Sequence, residues 1–534
     1  MLRFDTLITN GMIVDGTGNP WYRGDVGIRG SRIALAGSPG QRVSARETID
    51  AKGKVVCPGF IDFHTHSDFV LLRDPLCASK LKQGITLQVT GQCGISPAPI
   101  TADKVELLDS YVGFIKAGAS PSWKWRSFAE WLDTLAALQL GTHVATMVGH
   151  GTVRLTVMGF DNRLATPAEV DHMRELVRES IAAGAFGLTS GLIYPPGMYA
   201  SQAELVAICA ALSETRALYA THMRSESSGL LQSVRDTIEI AERNGIPAQI
   251  LHHKVAGRKN WGLVRESLAM IDAARGRGID ITADQYPYTA GSTTLRAILP
   301  PWVNEGGVAK TIERLADPAL RAKIAEEVAT SEAYENGFLR AGGAEGVRVV
   351  YTPVTPECEG KNLAEIAHMT GKPPLEAAFD AIIRNRGSDN ACFTNMCEED
   401  VRLVMQHPAV MIGSDSIPAA AGAKCHPRSN GTFARILGRY VREEKLLRLE
   451  EAVRKMTGFT AARLGLHAKG LIRPGLDADL VVFDPATIRD RSDFDEPFRD
   501  PDGIEYVFVN GVKAVERGRE TGVTAGRVLR RGSR

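Results

Sequence analysis

The sequence predicts an α/β protein in which a (β/α)8 barrel of the TIM type is joined to a small β-sandwich formed from both chain ends. Two observations predict this fold: the chain ends share a pattern of short alternating strands, and eight apolar strand candidates alternate with helical patterns between them. We expect residues 1–56 and 467–534 to form the sandwich. Residues 57–466 are expected to form the barrel, with a helical insertion around 290–405.

The two chain ends have similar strand-like sequences. Residues 7–14 contain an Asn-Gly turn signal between apolar runs, and residues 25–36 alternate between apolar and polar positions. Residues 478–484 and 506–512 resume this pattern near the C-terminus. Because both ends share this pattern of short alternating strands, we expect them to meet in one small domain. Only the arginine-rich tail, residues 527–534, is expected to fray.

The barrel strands are apolar stretches separated by well-marked helices. Residues 166–169 combine a threonine N-cap, a proline at the first helical position and a capping-box glutamate, and Asn244-Gly245 is a helix C-terminal signal. The long interval of about 290–405 before the last strand candidate predicts inserted helices, such as residues 318–330. The strand candidates lie near 61–66, 86–93, 143–149, 186–191, 218–223, 248–254, 280–286 and 409–415.

Composition and charge exclude several classes of partner. The 534 residues include 44% apolar and 23% charged residues, and the formal net charge is +1 with both signs interspersed. This balance offers no electrostatic attraction for nucleic acid or an anionic membrane. The N-terminus lacks the apolar region of a signal peptide, and the eight cysteines show no disulfide spacing. We therefore expect a cytoplasmic protein, whose oligomeric state the sequence leaves open.

Metal-binding residue types follow the first predicted strand. Barrel enzymes carry their catalytic groups at the C-terminal ends of the strands. The first strand ends in His64-Thr65-His66, and side chains two residues apart in a strand share a face, so both imidazoles can approach one ion. A lone His-x-His pair is a weak signal, but this pair directly follows an apolar strand.

Further candidates follow four other strands. Cys93 after strand two is a candidate thiolate ligand, although buried cysteine is usually an inert apolar group. His222 after strand five could be a hydrogen-bonded core histidine, and Asp415 after strand eight could be a helix N-cap. After strand six, His252 and Lys254 share a face. Four histidines, one cysteine and one aspartate at strand ends, in a chain of only twelve histidines, predict a metal site.

These residues also carry a family resemblance. The His-x-His pair on strand one, the histidines on strands five and six and the aspartate on strand eight are similar to the amidohydrolase superfamily, and more specifically the chain resembles the D-aminoacylases, or N-acyl-D-amino-acid deacylases. Residues 187–191 on strand four lack the bridging lysine of many superfamily members, whereas Cys93 is available, as is typical of this branch. The resemblance rests on 59–68, 91–94, 191–197, 221–224, 251–254, 413–415 and 478–481.

The resemblance implies a metal-dependent amidohydrolase that cleaves N-acyl-D-amino acids to a carboxylate and a free D-amino acid. It implies one tightly bound zinc ion and leaves a second, weaker ion open. Asp415 would be the catalytic residue, accepting a proton from water and delivering it to the leaving amine. The implied ligands of the tighter site are Cys93, His222 and His252. Those of the weaker site are His64, His66 and Asp415.

The implied small-molecule substrate, an N-acyl amino acid, has an α-carboxylate that needs a cation. Lys254 can supply one positive charge, and the family pattern adds Arg428, which can bind a carboxylate through two parallel hydrogen bonds. The same pattern implies substrate contacts for Tyr286, Ser292 and Tyr194. Simple loop packing is the alternative for these three residues, and a surface ion pair is the alternative for Arg428.

The side-chain preference of the substrate depends on residues 295–302. Family members that prefer D-glutamate or D-aspartate are expected to place an additional cation near the position of Leu299. The apolar residue found there favours neutral or hydrophobic side chains, unless Arg296 turns inward.

Two alternative functions remain at this stage. One is another hydrolase of the superfamily, acting on cyclic amides or ureas. Lys254 and Arg428 argue against it, because neutral cyclic substrates need no carboxylate-binding pair. The other alternative is a catalytically inactive structural relative, which should have lost some of the six ligands, and all six are present.

Overall fold

The computed structural model describes residues 2–38, 42–419 and 422–532. Its strands are, in chain order, β1 Leu2–Ile13, β2 Tyr22–Arg29, β3 Arg32–Gly37, β4 Val43–Asp50, β5 Val55–Pro58, β6 Phe60–Asp62, β7 Ile85–Thr90, β8 His143–Thr146, β9 Val148–Gly149, β10 Gly187–Gly191, β11 Leu218–His222, β12 Ala248–Ile250, β13 Ile281–Gln285, β14 Ala290–Thr293, β15 Val347–Tyr351, β16 Asn390–Thr394, β17 Val410–Ile412, β18 Leu480–Phe483, β19 Ile504–Val509, β20 Val512–Glu516 and β21 Arg519–Glu520.

The α-helices lie mostly between the barrel strands, and no helix among the described residues is long and apolar enough to cross a membrane. They are α1 Val70–Arg73, α2 Ala78–Leu81, α3 Val105–Tyr111, α4 Phe128–Ala136, α5 His150–Met158, α6 Pro167–Ala183, α7 Gln202–Cys209, α8 Leu230–Asn244, α9 Val264–Gly276, α10 Val308–Ala316, α11 Pro318–Thr330, α12 Gly337–Arg340, α13 Leu363–Thr370, α14 Pro374–Arg384, α15 Glu398–Gln406, α16 Arg428–Arg435, α17 Leu449–Met456 and α18 Gly458–Arg463.

The two chain ends build one nine-stranded sheet, in the order β21-β20-β19-β18-β5-β1-β2-β3, with β4 paired to β1. The ends are joined where β5 pairs antiparallel with β18, Val56 opposite Val482. Successive side chains point to opposite faces of a strand. Val482 therefore enters the core of the small domain together with Ile28 and Phe508, whereas Val481 packs in a separate core with the helices beside the barrel. The predicted β-domain formed from both ends is confirmed.

Eight parallel strands form the barrel, in the order β6-β7-β8 and β9-β10-β11-β12-β13-β17, with β8 and β9 as two parts of one strand around Met147. It closes between β6 and β17, where Thr65 bridges Ser416 and the amide of Asp415 donates to the carbonyl of His64 at 2.7 Å. Each strand corresponds to one of the eight sequence candidates, so the predicted barrel is confirmed.

The helix boundaries that the sequence predicts are confirmed as well. Thr166 caps α6 by accepting a hydrogen bond from the amide of Glu169, while the carboxylate of Glu169 accepts from the amide of Thr166 at 2.8 Å. Pro167 occupies the first position of this helix. Helix α8 ends at Asn244, and Gly245 follows in the left-handed conformation with φ +62°.

The insertion between β13 and β17 contains a sheet that the sequence analysis missed. Helices alone were expected, but β14, β16 and β15 form a three-stranded antiparallel sheet beside α10 to α14. Ser292 of β14 lies opposite Cys392 of β16. Because the paired strands are about a hundred residues apart, no local hairpin signal announces them.

The arginine-rich tail also differs from its prediction. Val528 forms a parallel bridge with Val144 of β8, and the amide of Leu529 donates to the carbonyl of Val144 at 2.8 Å. The tail is therefore anchored to the barrel through residue 531, whose amide donates to the carbonyl of Gly184. Residues 533 and 534 lie outside the described part of the chain.

Candidate active site

Four donor atoms from the ends of four strands lie within 4.8 Å of one another, and they belong to His64, Cys93, His252 and Asp415. Cys93 Sγ lies 3.4 Å from Nε2 of His64 and 3.4 Å from Nε2 of His252. Asp415 Oδ1 lies 3.3 Å from Nε2 of His64. All four residues are buried. Imidazole nitrogen, thiolate sulfur and carboxylate oxygen are the ligands that zinc prefers in proteins.

The two remaining predicted ligands flank this cluster. His66 Nε2 lies 3.2 Å from Asp415 Oδ1. The His222 ring lies edge-on to that of His252, with 4.4 Å between centroids, and neither of its nitrogens makes a hydrogen bond within the described residues. Burial lowers the pKa of His222 well below its ordinary value, so the ring is neutral and its lone pair is available.

The structure brings the six predicted ligands to one end of the barrel, but it groups them differently from the expected division. Cys93 lies among three residues from strands one, six and eight. His222 instead forms a second group with His252 and Glu226, a residue that the sequence analysis did not single out. His252 belongs to both groups and lies between them.

The backbone bends sharply at three of these positions. Cys93, His252 and Asp415 have φ values of +52°, +35° and +49°, in the left-handed region that side-chain-bearing residues rarely adopt. Such a conformation costs about 1–3 kcal/mol and persists only where the surroundings enforce it. These bends follow directly after strands and turn the side chains toward a common centre.

Asp284 at the end of β13 supports two of the clustered histidines and was also missed. Its Oδ1 lies 3.3 Å from Nδ1 of His64 and accepts a hydrogen bond from the amide of His252 at 2.9 Å. Its Oδ2 accepts from Gln249 at 3.0 Å. A carboxylate on the far nitrogen of an imidazole fixes the tautomer that leaves the near nitrogen free for a metal. The signal available in the sequence was an aspartate at the end of strand seven.

Glu226 and Lys254 hold the other side of His252. Lys254 Nζ donates to Glu226 Oε1 at 2.7 Å and lies 2.8 Å from His252 Nδ1. Glu226 Oε1 lies 2.9 Å from the same Nδ1 atom. Burial would raise the pKa of Glu226, but Lys254 and the two neighbouring histidines hold it well below its ordinary value. The ammonium of Lys254 is thus paired with a carboxylate of the chain itself.

Arg428 is fully buried and faces Asp415. Its Nη1 lies 2.8 Å from Asp415 Oδ2, its Nη2 donates to the carbonyl of Ser292 at 3.1 Å, and its guanidinium lies 4.6 Å from the centre of the Tyr286 ring. Burial would raise the pKa of Asp415, but Arg428 and then His64 hold it well below its ordinary value. Arg428 therefore keeps this carboxylate ionised and oriented.

A narrow cavity of about 60 Å³ opens onto the cluster, and the neighbouring cavity, of about 410 Å³, has a size that suits a small molecule. Four of the five predicted substrate contacts line the narrow cavity: Tyr194, Lys254, Tyr286 and Ser292. The hydroxyl of Tyr286 makes no hydrogen bond within the described residues, whereas Tyr194 Oη pairs with Thr293 Oγ1 at 2.9 Å. Arg428, the fifth, lies behind the Tyr286 ring instead of in the wall.

A second cavity adjoins the first along Tyr194 and Phe114. Leu299 lines it, and so does Arg296. The side chain of Arg296 is buried, and its Nε and Nη2 make no hydrogen bond within the described residues. Arg296 therefore does turn inward, which is the condition that weakens the argument for an apolar side-chain preference.

An eight-stranded barrel with nitrogen, sulfur and carboxylate donors converging at the C-terminal ends of its strands defines the class of barrel enzymes with a metal site. The comparisons with known proteins agree with this class. A model of the amidohydrolase family matches residues 47–515. The D-aminoacylase of Alcaligenes xylosoxydans xylosoxydans is 37% identical, covering 99% of this chain and 98% of that protein.

Two further relatives cover the whole chain. The N-acyl-D-glutamate deacylase of Alcaligenes xylosoxydans xylosoxydans is 36% identical over 99% of this chain and 97% of that protein. A crystal structure of N-acyl-D-glutamate deacylase from Bordetella bronchiseptica, complexed with zinc and a phosphonate inhibitor, is 35% identical with a TM-score of 0.83, covering 99% of this chain and all of that one. The chain belongs to the amidohydrolase family, in its D-aminoacylase branch.

Proposed function

We propose that the protein is a zinc-dependent deacylase that hydrolyses the amide bond of N-acyl-D-amino acids to a carboxylate and a free D-amino acid. The observation that carries the proposal is the cluster of Cys93, His252 and Asp415 with His64, beside a narrow cavity that adjoins a larger one. The D configuration is inferred from the relatives, which are named D-aminoacylase and N-acyl-D-glutamate deacylase.

The donor set fits zinc. Cys93 Sγ and two imidazole nitrogens approach within 3.4 Å, an arrangement that a cation between these electron-rich atoms would stabilise. Zinc held here supplies Lewis acidity that activates water and polarises the amide carbonyl. We assign Cys93, His222 and His252 to a tighter site, because Cys93 Sγ lies 3.4 Å from His252 Nε2 and the His222 ring packs against that of His252. His64 and His66, both within 3.3 Å of Asp415 Oδ1, form with it a second, weaker site, and the 3.4 Å approach of His64 to Cys93 makes the two sites neighbours.

Asp415 is the proposed catalytic residue. Its Oδ1 faces the histidines, and its Oδ2 is paired with Arg428 at 2.8 Å, so the carboxylate is held ionised with one oxygen toward the cluster. An ionised carboxylate in this position can accept a proton from the attacking water. It can then donate the same proton to the leaving amine.

The substrate carboxylate binds at the wall formed by Lys254, Tyr286 and Ser292. The free hydroxyl of Tyr286 offers one hydrogen bond. Lys254 supplies its positive charge to the substrate carboxylate by exchanging its 2.7 Å contact with Glu226 Oε1 for one with the substrate. We assign Tyr194 to the carbonyl to be cleaved, because its ring lies 5.2 Å from that of His222. Arg428 contributes from behind Tyr286. A neutral cyclic amide or urea would use none of these groups.

The substrate side chain extends toward the second cavity. We propose a neutral or hydrophobic side chain, because Leu299 lines this cavity. Arg296 favours a second candidate, an acidic side chain, because its guanidinium has unused hydrogen-bond donors at the same cavity. The kcat/KM values for N-acetyl-D-leucine and N-acetyl-D-glutamate separate the two. A higher value for the glutamate derivative that is lost in Arg296→Met would establish the acidic preference.

A cytoplasmic location is part of the proposal. All eight cysteines are free thiols, which suits a reducing compartment.

Hydrolysis of a panel of N-acetyl-D- and L-amino acids, before and after treatment with a chelator, tests the main proposal. We expect turnover of D substrates that the chelator abolishes and added zinc restores. Turnover that survives complete metal removal, or turnover of L substrates alone, would contradict it. Elemental analysis should find about one or two zinc ions per chain.

A further inference from the structure

A buried ion pair joins the two strands that close the barrel. Lys80 on α2 is 2% exposed, and its Nζ donates to Asp62 Oδ2 at 2.7 Å. The same Nζ donates to the hydroxyl of Ser416 at 2.6 Å and to that of Ser414 at 3.2 Å. Lys80 thus contacts both sides of the barrel seam, although neither it nor Asp62 lines the cavity above the cluster.

The hydrogen bonds of this pair bracket the ligand-bearing positions. Asp62 accepts from the amide and the hydroxyl of Ser414, at 2.8 and 2.6 Å. The hydroxyl of Thr65 lies 2.7 Å from that of Ser416. Residues 414 and 416 enclose Asp415, and residues 62 and 65 enclose the first histidine of the His-x-His motif. The ammonium of Lys80 therefore contacts both neighbours of Asp415 directly, and it reaches the flanks of His64 directly at Asp62 and through Ser416 at Thr65.

Asp415 is the position that needs such support. It has the left-handed φ of +49°, a conformation that persists only where the surrounding structure enforces it. Its own backbone bond, from its amide to the carbonyl of His64 at 2.7 Å, runs across the same seam. The Lys80 network fixes the residues on either side of that bond.

We infer that Lys80, together with Asp62, is a positioning residue for the metal cluster. The pair holds the ends of β6 and β17 in the register that keeps Asp415 Oδ1 within 3.2–3.3 Å of His64 and His66. Replacing a buried ion pair by apolar residues is often neutral for stability. A positioning role therefore predicts a loss at the cluster that exceeds any loss of folding. Of the proposed function, this inference requires only that the cluster binds zinc.

The test compares Lys80→Met with a matched control at the other end of the barrel. Lys469 is also a buried lysine, and it pairs with Asp477 at 2.9 Å and with Asp479, whose Oδ1 meets His143 at the start of β8. Lys469→Met removes a comparable charge pair far from the cluster. The zinc-loaded enzymes are mixed with a chromophoric chelator, and zinc transfer is followed without substrate. In parallel, kcat and KM are measured for N-acetyl-D-leucine.

We expect Lys80→Met to accelerate zinc loss about 10–100-fold and to lower kcat by a similar factor, with KM changed less than about threefold. We expect Lys469→Met to lower the thermal midpoint while zinc retention and kcat stay within about twofold of the wild type. Equal zinc loss in both lysine variants would overturn the inference, because a general loss of stability would then explain it.

The double variant Asp62→Asn/Lys80→Met covers the case in which Lys80→Met fails to fold, since it leaves no unpaired buried charge. The same acceleration of zinc loss is expected from it. A double variant that retains zinc and kcat like the wild type would overturn the inference. Zinc transfer is measured without substrate. An enzyme that is inactive on N-acyl-D-amino acids would therefore refute the proposed function, while the zinc-transfer rates would still test the positioning role of Lys80.

Discussion

The two ends of the barrel each hold a buried cluster of ionisable groups, and the clusters differ in what satisfies them. At the N-terminal end, Asp479 accepts from the amide of Asn510 at 2.8 Å, meets His143 Nε2 at 3.1 Å and pairs with Lys469. Asp477 beside it pairs with Lys469 at 2.9 Å. Carboxylates there meet cations and donors from the chain itself.

At the C-terminal end, electron-pair donors face one another. Cys93 Sγ lies between two imidazole Nε2 atoms, and both nitrogens of His222 lack a hydrogen bond within the described residues. The comparison teaches that burial and charge alone do not mark a catalytic site. The carboxylates of the N-terminal cluster are matched by cations and donors of the chain and join the β-domain to the barrel, whereas the C-terminal cluster has the donor set to take a cation.

Removing a cluster donor should have the largest effect. We expect Cys93→Ala to lose bound zinc and to lower kcat by at least about a thousandfold, because the sulfur is central to the donor set. Metal analysis and steady-state kinetics measure both. Cys209→Ala is the matched control, since Cys209 is equally buried on α7 but lies outside the cluster. A Cys93→Ala enzyme with wild-type zinc content would mean that the two ends of the barrel do not differ as described.

Breaking the N-terminal cluster should instead affect folding. Asp479→Asn is expected to lower the free energy of unfolding by about 3–5 kcal/mol, because it leaves the buried Lys469 and His143 without this carboxylate. Denaturant unfolding of the zinc-loaded enzyme measures the change, and zinc content per folded chain should stay constant. Zinc loss without loss of stability would be the opposite of this expectation.

Arg428→Met sharpens the comparison within the C-terminal cluster. If Arg428 acts by orienting Asp415, kcat should fall about 10–100-fold with KM nearly unchanged, because the lost contact matters in the transition state. If it binds the substrate carboxylate directly, KM should rise instead. The control is Arg435→Met, a largely buried arginine that stacks on Tyr288 at 4.7 Å and pairs with Asp490 at 3.0 Å.

The smallest expected effect is a pH dependence of stability at the N-terminal end. Burial lowers the pKa of His143 below its ordinary value of 6.5. The unfolded chain therefore binds a proton that the folded state resists, so the contribution to stability is complete above about pH 6.5 and is lost as the pH falls, by at most about 1.4 kcal/mol per pH unit. His143→Gln should flatten this slope between about pH 7 and about pH 5.5 in unfolding experiments. An unchanged slope would show that other groups carry it.

The sequence predicted the residues that form the candidate site better than the contacts among them. His64 and Asp415 could be singled out because each stands directly after an apolar strand, and strand ends meet at one edge of a barrel. Glu226, Asp284 and Lys80 were missed, because a single charged side chain leaves no periodic pattern in the sequence. Their roles arise only from which side chains they reach.

Two further differences have the same origin. The sheet of the insertion was missed because β14 and β16 are neighbours in space but about a hundred residues apart in the chain. Arg428 was expected at the substrate, but the fold places it behind Tyr286 and against Asp415. A side chain's direction at a site depends on packing that no local pattern encodes.

What the sequence by itself determined was the alternation of strands and helices, and with it the positions at which His64, Cys93, His222, His252 and Asp415 leave their strands. These properties follow from periodicity, capping and turn preferences, which act over a few residues. Only the tertiary structure decided that Cys93 lies between His64 and His252, that Arg428 faces Asp415, and that Lys80 spans the seam of the barrel. Such pairings join residues up to about 350 positions apart, and they exist only once barrel closure brings the first and last strands side by side.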